Sequence, residues 1–155
     1  MSIEDRKKLE EATRQLALQL EELKNAIQVA QNRVVAISNE IEELRLAYET
    51  LSAVEKFQQN EALISLDRRG YAYLKTALSD IDRAIVYIGQ DLYVSLPIEK
   101  AKSVLTAREK DMIAALREAE AELKKLTDLY NQLQRKLQDY ITALGQSEKP
   151  RPSAG

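Results

Sequence analysis

The sequence contains no cysteine and no histidine. The first absence excludes a disulfide framework and thiolate chemistry. The second removes the usual acid–base group and metal ligand at neutral pH, so an enzyme is not the expected class. Glycine is scarce: Gly70, Gly89 and Gly145 fall where elements break, and Gly155 is terminal. Aromatic residues make up 5% of the chain and charged residues 31%, a balance that suits long solvated helices better than a thick core. The net charge is −2 with both signs interspersed, which supplies no basic footprint for nucleic acid. The densest basic clusters, Arg6-Lys7-Lys8 and Lys124-Lys125, are interleaved with acidic residues. No apolar run approaches the roughly 18 residues of a membrane span, and the opening Met-Ser-Ile-Glu-Asp-Arg lacks the apolar stretch of a signal peptide. The expectation is a soluble, cytoplasmic protein of one domain, with no membrane or nucleic-acid partner.

What is present is mostly heptad helix. From Leu9 the apolar positions step by three and four through Leu16, Leu20, Leu23, Ile27, Ala30, Val34, Ile37, Ile41, Leu44, Tyr48 and Leu51, with Thr13 the one polar seam position. That repeat, free of proline and glycine, predicts a coiled-coil helix over 5–57. At about 1.5 Å per residue, positions 9–51 form a rod of about 63 Å that needs a partner for its stripe. Leu18, Val29, Val35 and Leu46 fall off the seam and either widen the core stripe or offer an outer apolar surface. A second stripe runs Leu105, Met112, Leu116, Ala119, Leu123, Leu126, Tyr130, Leu133, Leu137, Tyr140 and Leu144, with Ile98 in register before it. Ser95 as cap and Pro97 in the first turn predict a helix over 96–144, stopped by Gly145. Residues 146–155 are expected to be a disordered tail.

Between the helices lies an island with strand grammar. Short apolar runs rich in β-branched and aromatic residues are broken by glycine and aspartate, which predicts two β-hairpins within 61–95. One pairs Ala62–Leu66 with Tyr71–Thr76 across Asp67-Arg68-Arg69-Gly70. The other pairs Ala84–Ile88 with Leu92–Ser95 across Gly89-Gln90-Asp91. Gly70 and Gly89 stand where a turn uses positive φ. The aspartates, including the Asp-x-Asp of Asp80 and Asp82, are turn residues rather than metal ligands, because no further ligands follow at binding spacing. Phe57 is expected to plug the junction of helix and sheet. Isolated hairpins are marginal in water and their open edges invite pairing. Completion by other subunits is therefore favoured over a sheet packed on the chain's own helices. The fold class is α+β, mostly α: an antiparallel coiled-coil hairpin of helices with two consecutive β-hairpins at one end.

The island also carries a resemblance. Glu61-Ala-Leu-Ile-Ser-Leu, Asp82-Arg-Ala-Ile-Val-Tyr-Ile-Gly89 and Leu92-Tyr-Val-Ser-Leu are similar to the strands of α-class prefoldin subunits. Ser65 stands where that family often has proline, and Asp67 where glycine is usual. The resemblance covers the chain to Gly145 and implies a single prefoldin-type domain over 1–145. It implies two α and four β-class subunits pairing hairpins into a β-barrel platform with coiled coils hanging from it. It also implies that the coiled-coil tips hold unfolded polypeptide without ATP or any cofactor and pass it to a group II chaperonin.

The candidate assembly residues are Leu63, Ile64, Leu66, Tyr71, Tyr73, Ile85, Val86, Ile88, Tyr93 and Val94, some of which belong instead to the chain's own core. The candidate client-binding residues are Ile3, Leu9, Leu16, Tyr140, Ile141 and Leu144, where helix ends fray and expose the stripe. The alternatives are a structural coiled-coil spacer with a β oligomerisation head, an RNA-contacting helical arm, and a homo-oligomeric or filamentous prefoldin relative.

Overall fold

The structure, a computed structural model, describes residues 2–56, 61–79 and 81–146. Its elements in order are α1 (Ile3–Lys56), β1 (Glu61–Ser65), β2 (Tyr73–Ala77), β3 (Arg83–Gly89), β4 (Leu92–Pro97) and α2 (Ile98–Gln146). Two long helices thus flank two antiparallel hairpins, the fold class the sequence predicts. The roles expected of Phe57, Asp80 and the tail from 147 to 155 lie outside the described residues.

The chain divides into two compact units. In the first, Met1–Ala36 and Leu116–Gly155, α1 and α2 run antiparallel. Leu23 and Ala26 of α1 share a groove with Leu129 and Leu133 of α2, and Arg33 pairs with Glu122 at 3.2 Å. The predicted seam is the covered one: Leu16, Leu20 and Ala30 are buried, and Ala119 is 1% exposed. The off-seam Leu18 and Val29 are exposed. The helix begins earlier than predicted because Ser2 and Asp5 close a reciprocal cap. The Asp5 N–H donates to Ser2 Oγ at 3.1 Å, and Ser2 Oγ donates to Asp5 Oδ2 at 2.6 Å, a capping box readable in Ser-x-x-Asp. Those hydrogen bonds from Ser2, side chain first and backbone second, hold the Asp5 carboxyl below its ordinary value.

The second unit, Ile37–Ala115, holds both hairpins. Its core is Val86 of β3 with Ala101 and Leu105 of α2, joined by half-buried Leu44 and Leu51 of α1 and by Ala84, Leu96 and Val104. Ala101 is 0% exposed, so alanine is the side chain that fits. At the rim, Lys102 bridges Glu55 at 3.1 Å and Glu99 at 3.2 Å, and its Nζ lies 5.5 Å from the Tyr48 ring centre. The hydrogen bonds that the Lys102 ammonium donates, to Glu55 first and then to Glu99, raise its pKa.

Both hairpins differ in detail from the predicted spans. In the first, Ser65 pairs with Tyr73 and Glu61 with Ala77, so Tyr71 and Ala72 sit in the loop rather than the ladder. In the second, β4 continues to Pro97, opposite Arg83. Ser95 therefore does not cap α2. It pairs with Ile85, and Arg83 grips it through donations to its Oγ at 3.0 Å and its carbonyl at 2.8 Å. Pro97 ends the strand, where a missing N–H is harmless. The Ile98 N–H donates to the Asp82 carbonyl at 3.1 Å, tying the start of α2 to the start of β3. Gly145 is helical, and α2 runs on to Gln146.

Candidate functional site

Two sets of residues merit attention: the hairpin surfaces and the free helix ends. The β1–β2 hairpin owes its shape to Asp67. Its carboxylate accepts the N–H groups of Arg69 at 2.7 Å, Tyr71 at 3.0 Å and Ala72 at 3.0 Å. Gly70 takes φ 74° within this loop, and a Cβ there would collide with the Tyr73 hydroxyl. These donations, Tyr71 foremost, hold the Asp67 carboxyl below the usual carboxylate range.

A depressed carboxylate pKa stabilises the fold above its unfolded value, about 3.9, and that stabilisation is lost as pH falls through the lower folded value. Acidification below about pH 4 is therefore expected to loosen this loop. Asp67→Ala is expected to do the same at neutral pH. Amide proton shifts of Arg69, Tyr71 and Ala72 moving toward random-coil positions, with those of β3–β4 unchanged, are the expected readout. Shifts that stay in place would contradict it.

The register sorts this hairpin into two faces, because side chains alternate along a strand. Ile64 pairs with Leu74 and Ala62 with Thr76. Leu66 joins the same face, its N–H bonding the Ala72 carbonyl at 3.0 Å. The opposite face is mixed, with Leu63 beside Lys75 and Ser65 beside Tyr73, and Lys75 bridging Glu61 at 2.6 Å. Leu63, Ile64, Leu66, Tyr71, Tyr73 and Leu74 are all more than half exposed.

The β3–β4 hairpin turns on Gln90 and Asp91, whose φ values of 51° and 57° are both left-handed. This is the geometry of a two-residue turn that matches strand twist, one residue tighter than the sequence predicts, because Gly89 pairs with Leu92. Ile88 falls in the register shift between Tyr87 and Gly89. The hairpin's inner face is spoken for: Val86 is 6% exposed and Val94, its partner, is half-buried. Ile85, Ile88 and Tyr93 are exposed, Ile85 at 75%. Tyr93 stands 5.3 Å from the Tyr87 ring, over which the Arg108 guanidinium sits at 5.3 Å. Leu74, Tyr87 and Leu92 are exposed on the hairpins as well, although the sequence reading does not single them out. Leu74 was recoverable from its pairing with Ile64 once the register is known.

Beside this hairpin lies an open apolar groove of about 570 Å³. Leu44, Ala47 and Leu51 of α1, Ala84 and Val86 of β3, and Val104 and Leu105 of α2 line it, with Glu40, Glu43 and Arg108 at its rim. Arg108 also bridges Glu40 at 3.4 Å.

The six candidate residues at the helix ends divide. Ile3 is 80% exposed and Ile141 48%. Leu9, Tyr140 and Leu144 are half-buried, the Tyr140 ring lying 5.6 Å beneath Lys136 Nζ. Leu16 is buried. Leu16 and Tyr140 line one small groove with Ala12, Gln15, Gln19 and Lys136, so these ends do come together.

Among the described residues no group of three or more acidic, histidine or cysteine side chains is arranged to hold a metal ion. No described helix is long and apolar enough to cross a membrane.

Comparison with known proteins gives a consistent result. A family model described as "Prefoldin subunit" matches residues 23–142. The prefoldin subunit alpha of Hyperthermus butylicus is 30% identical over 136 residues, covering 88% of this chain and 78% of that protein. The prefoldin subunit alpha of Saccharolobus solfataricus is 27% identical over 109 residues, covering 70% of this chain and 71% of that protein. Among solved structures, a cryo-EM structure of filamentous prefoldin from Methanocaldococcus jannaschii shares the fold with a TM-score of 0.54. It covers 82% of this chain and 98% of that one at 20% identity.

Proposed function

The chain belongs to the prefoldin family, and from that premise we propose that it is an α-class co-chaperone subunit that holds unfolded polypeptide at its helix ends without ATP and delivers it to a group II chaperonin. Prefoldin subunits are non-enzymatic and assemble with one another. Here the hairpins are the joining surfaces and β-class subunits the partners, in a hexamer of two copies of this chain and four of the other. One domain over 1–145 does both jobs, in the cytoplasm.

The observation that carries this reading is the exposed apolar surface of the hairpins. Leu63, Ile64, Leu66, Tyr71, Tyr73, Ile85, Ile88 and Tyr93 are all exposed, and hairpins so apolar need covering in water. Native mass spectrometry of the chain, alone and mixed with a β-class subunit, tests it. The expected product is the two-plus-four hexamer. A monomer indifferent to the β-class subunit would overturn the reading and leave the spacer. A homo-oligomeric or filamentous assembly is the second reading, favoured by the likeness to a filamentous prefoldin. Long homopolymers from the chain alone would select it.

Client holding is assigned to Ile3, Leu9, Leu16, Tyr140, Ile141 and Leu144. The exposed pair, Ile3 and Ile141, offers the direct contacts, and several weak ends acting on one extended client gain avidity. The triple variant Ile3→Ser, Ile141→Ser, Leu144→Ser is expected to hold an unfolded client at least about tenfold more weakly with the native mass of the assembly unchanged. Undiminished suppression of client aggregation by that variant would remove these residues from the role.

A further inference from the structure

We propose that Glu109, with Arg45, is the register key of the helical hairpin: the pair decides which turn of α1 faces which turn of α2. A seam built on a seven-residue repeat is ambiguous, because sliding one helix by seven residues restores an apolar match. Something that breaks the repeat must choose. The second stripe runs from Leu105 to Leu144 with one charged slot, Glu109. The Glu109 side chain is 24% exposed and pairs with Arg45 of α1. No cation stands three or four residues away on α2, where side chains of one helix meet; those positions are Leu105, Thr106, Met112 and Ile113. Glu109 therefore depends on α1 for its partner. Thr13, the polar slot of the first stripe, is the contrasting case. Its hydroxyl donates to the Leu9 carbonyl of the same helix at 2.6 Å, so it is satisfied in every register and selects none. A half-buried polar group that finds its partner in one alignment is a device by which coiled coils specify register.

The neighbouring ion pairs select the same alignment. Arg108 bridges Glu40 at 3.4 Å and Lys102 bridges Glu55 at 3.1 Å. In the other compact unit Arg33 bridges Glu122 at 3.2 Å. A shift of α1 by one heptad breaks them all. In one direction Glu109 meets Ser38 and Arg108 meets Arg33. In the other Glu109 meets Ser52 and Glu122 meets Glu40. Either way the half-buried carboxylate loses its cation and a pair of like charges forms. Shifts of three or four residues set Glu109 against Ile41, Glu42, Tyr48 or Glu49. One heptad is about 10 Å along a helix. A slip of that size parts Leu16 from Tyr140, which line one groove at the helix ends. The key thus keeps together the ends to which client holding is assigned. That consequence rests on the proposed function, whereas the register itself does not.

The chain has no cysteine, so paired thiols report register without background. Ala26 and Leu129 share a groove, and Ala26→Cys with Leu129→Cys reports the native alignment. Lys136 and Gln19 stand one heptad from Leu129 and Ala26. Ala26→Cys with Lys136→Cys and Gln19→Cys with Leu129→Cys report the two slips, since positions offset by about 10 Å along the axis do not bridge in the native register. Each pair is oxidised in the full-length chain with Glu109 kept, and again with Glu109→Leu. With Glu109 kept, the native pair is expected to link and the slipped pairs to give traces. Glu109→Leu is expected to leave Tm unchanged or raised, because leucine fits the seam, and to raise the yield of the slipped pairs roughly tenfold. Arg45→Glu is expected to raise that yield too, by setting two carboxylates face to face, and Arg45→Glu with Glu109→Arg to return it to the parent level. Slipped-pair yields unmoved by Glu109→Leu overturn the proposal, as does a fall in Tm with register intact, which makes the pair a stabilising contact only. Suppression of client aggregation is followed in parallel. A slipped chain that still holds client overturns the consequence for the ends and leaves the register key standing.

Discussion

Aspartate at Val86 is expected to unfold the hairpin-bearing unit, although the same change one residue earlier is expected to leave the fold standing. Val86 is 6% exposed and packs on Ala101 and Leu105, with Leu44 and Leu51 beside it. Those neighbours are all aliphatic, and the nearest cation the groove offers, Arg108, is already bridged to Glu40. An aspartate there loses the apolar contacts and places a carboxylate against aliphatic side chains. Burying an unpaired charge is among the few single changes that cost about 4 kcal/mol or more, a large share of the roughly 5–15 kcal/mol that holds a domain together. A fall in Tm of about 10 °C or more is expected in thermal melts followed by circular dichroism. A melt within about 2 °C of the parent would show that Val86 is not the keystone the packing makes it.

Ile85 is the converse case. It is 75% exposed, so aspartate there keeps its water and changes stability by no more than about 0.5 kcal/mol. Leu63, on the mixed face of the first hairpin, is likewise exposed and sits opposite Lys75. The double variant Leu63→Asp, Ile85→Asp is expected to melt like the parent and to lose its assembly, the native mass falling to that of the monomer. Two carboxylates forced into apolar contacts between subunits cost several kcal/mol, which is a loss of at least about a hundredfold in affinity. An unchanged native mass would show that subunits meet elsewhere on the molecule.

The contrast between these neighbours also shows what the sequence could and could not carry. The helical seams were legible because a repeat of three and four has one geometric solution, and the buried Leu16, Leu20, Ala30 and Ala119 lie on it. The existence of two hairpins was legible in Gly70, Gly89 and the β-branched runs around them. Which of Ile85 and Val86 faces inward was not. Ala-Ile-Val-Tyr-Ile has no alternation, and the inner face is chosen by α2 packing onto β3. Residues distant in sequence make that choice.

The same holds at the start of α2. Ser95 and Pro97 read locally as a helix cap and first turn, yet Arg83 reaches across the hairpin to hold Ser95 in the strand. Asp67 was readable as a turn residue, but not its hold on the backbone as far as Ala72, which moves the strand ends by a residue or more. At the helix ends, periodicity already set Leu16 on the stripe and Ile141 off it, and the structure has the leucine buried and the isoleucine exposed. That distinction separates a residue that closes the coil from one whose side chain is open to solvent.

A holding chaperone and a spacer part company when a chemically denatured protein is diluted into buffer containing the assembled complex, without ATP, and light scattering is followed. Holding is expected to suppress scattering near stoichiometric ratios of complex to client, with the client recovered bound to the complex on size-exclusion chromatography. Scattering that rises as in buffer alone, from a complex whose native mass confirms assembly, would contradict it.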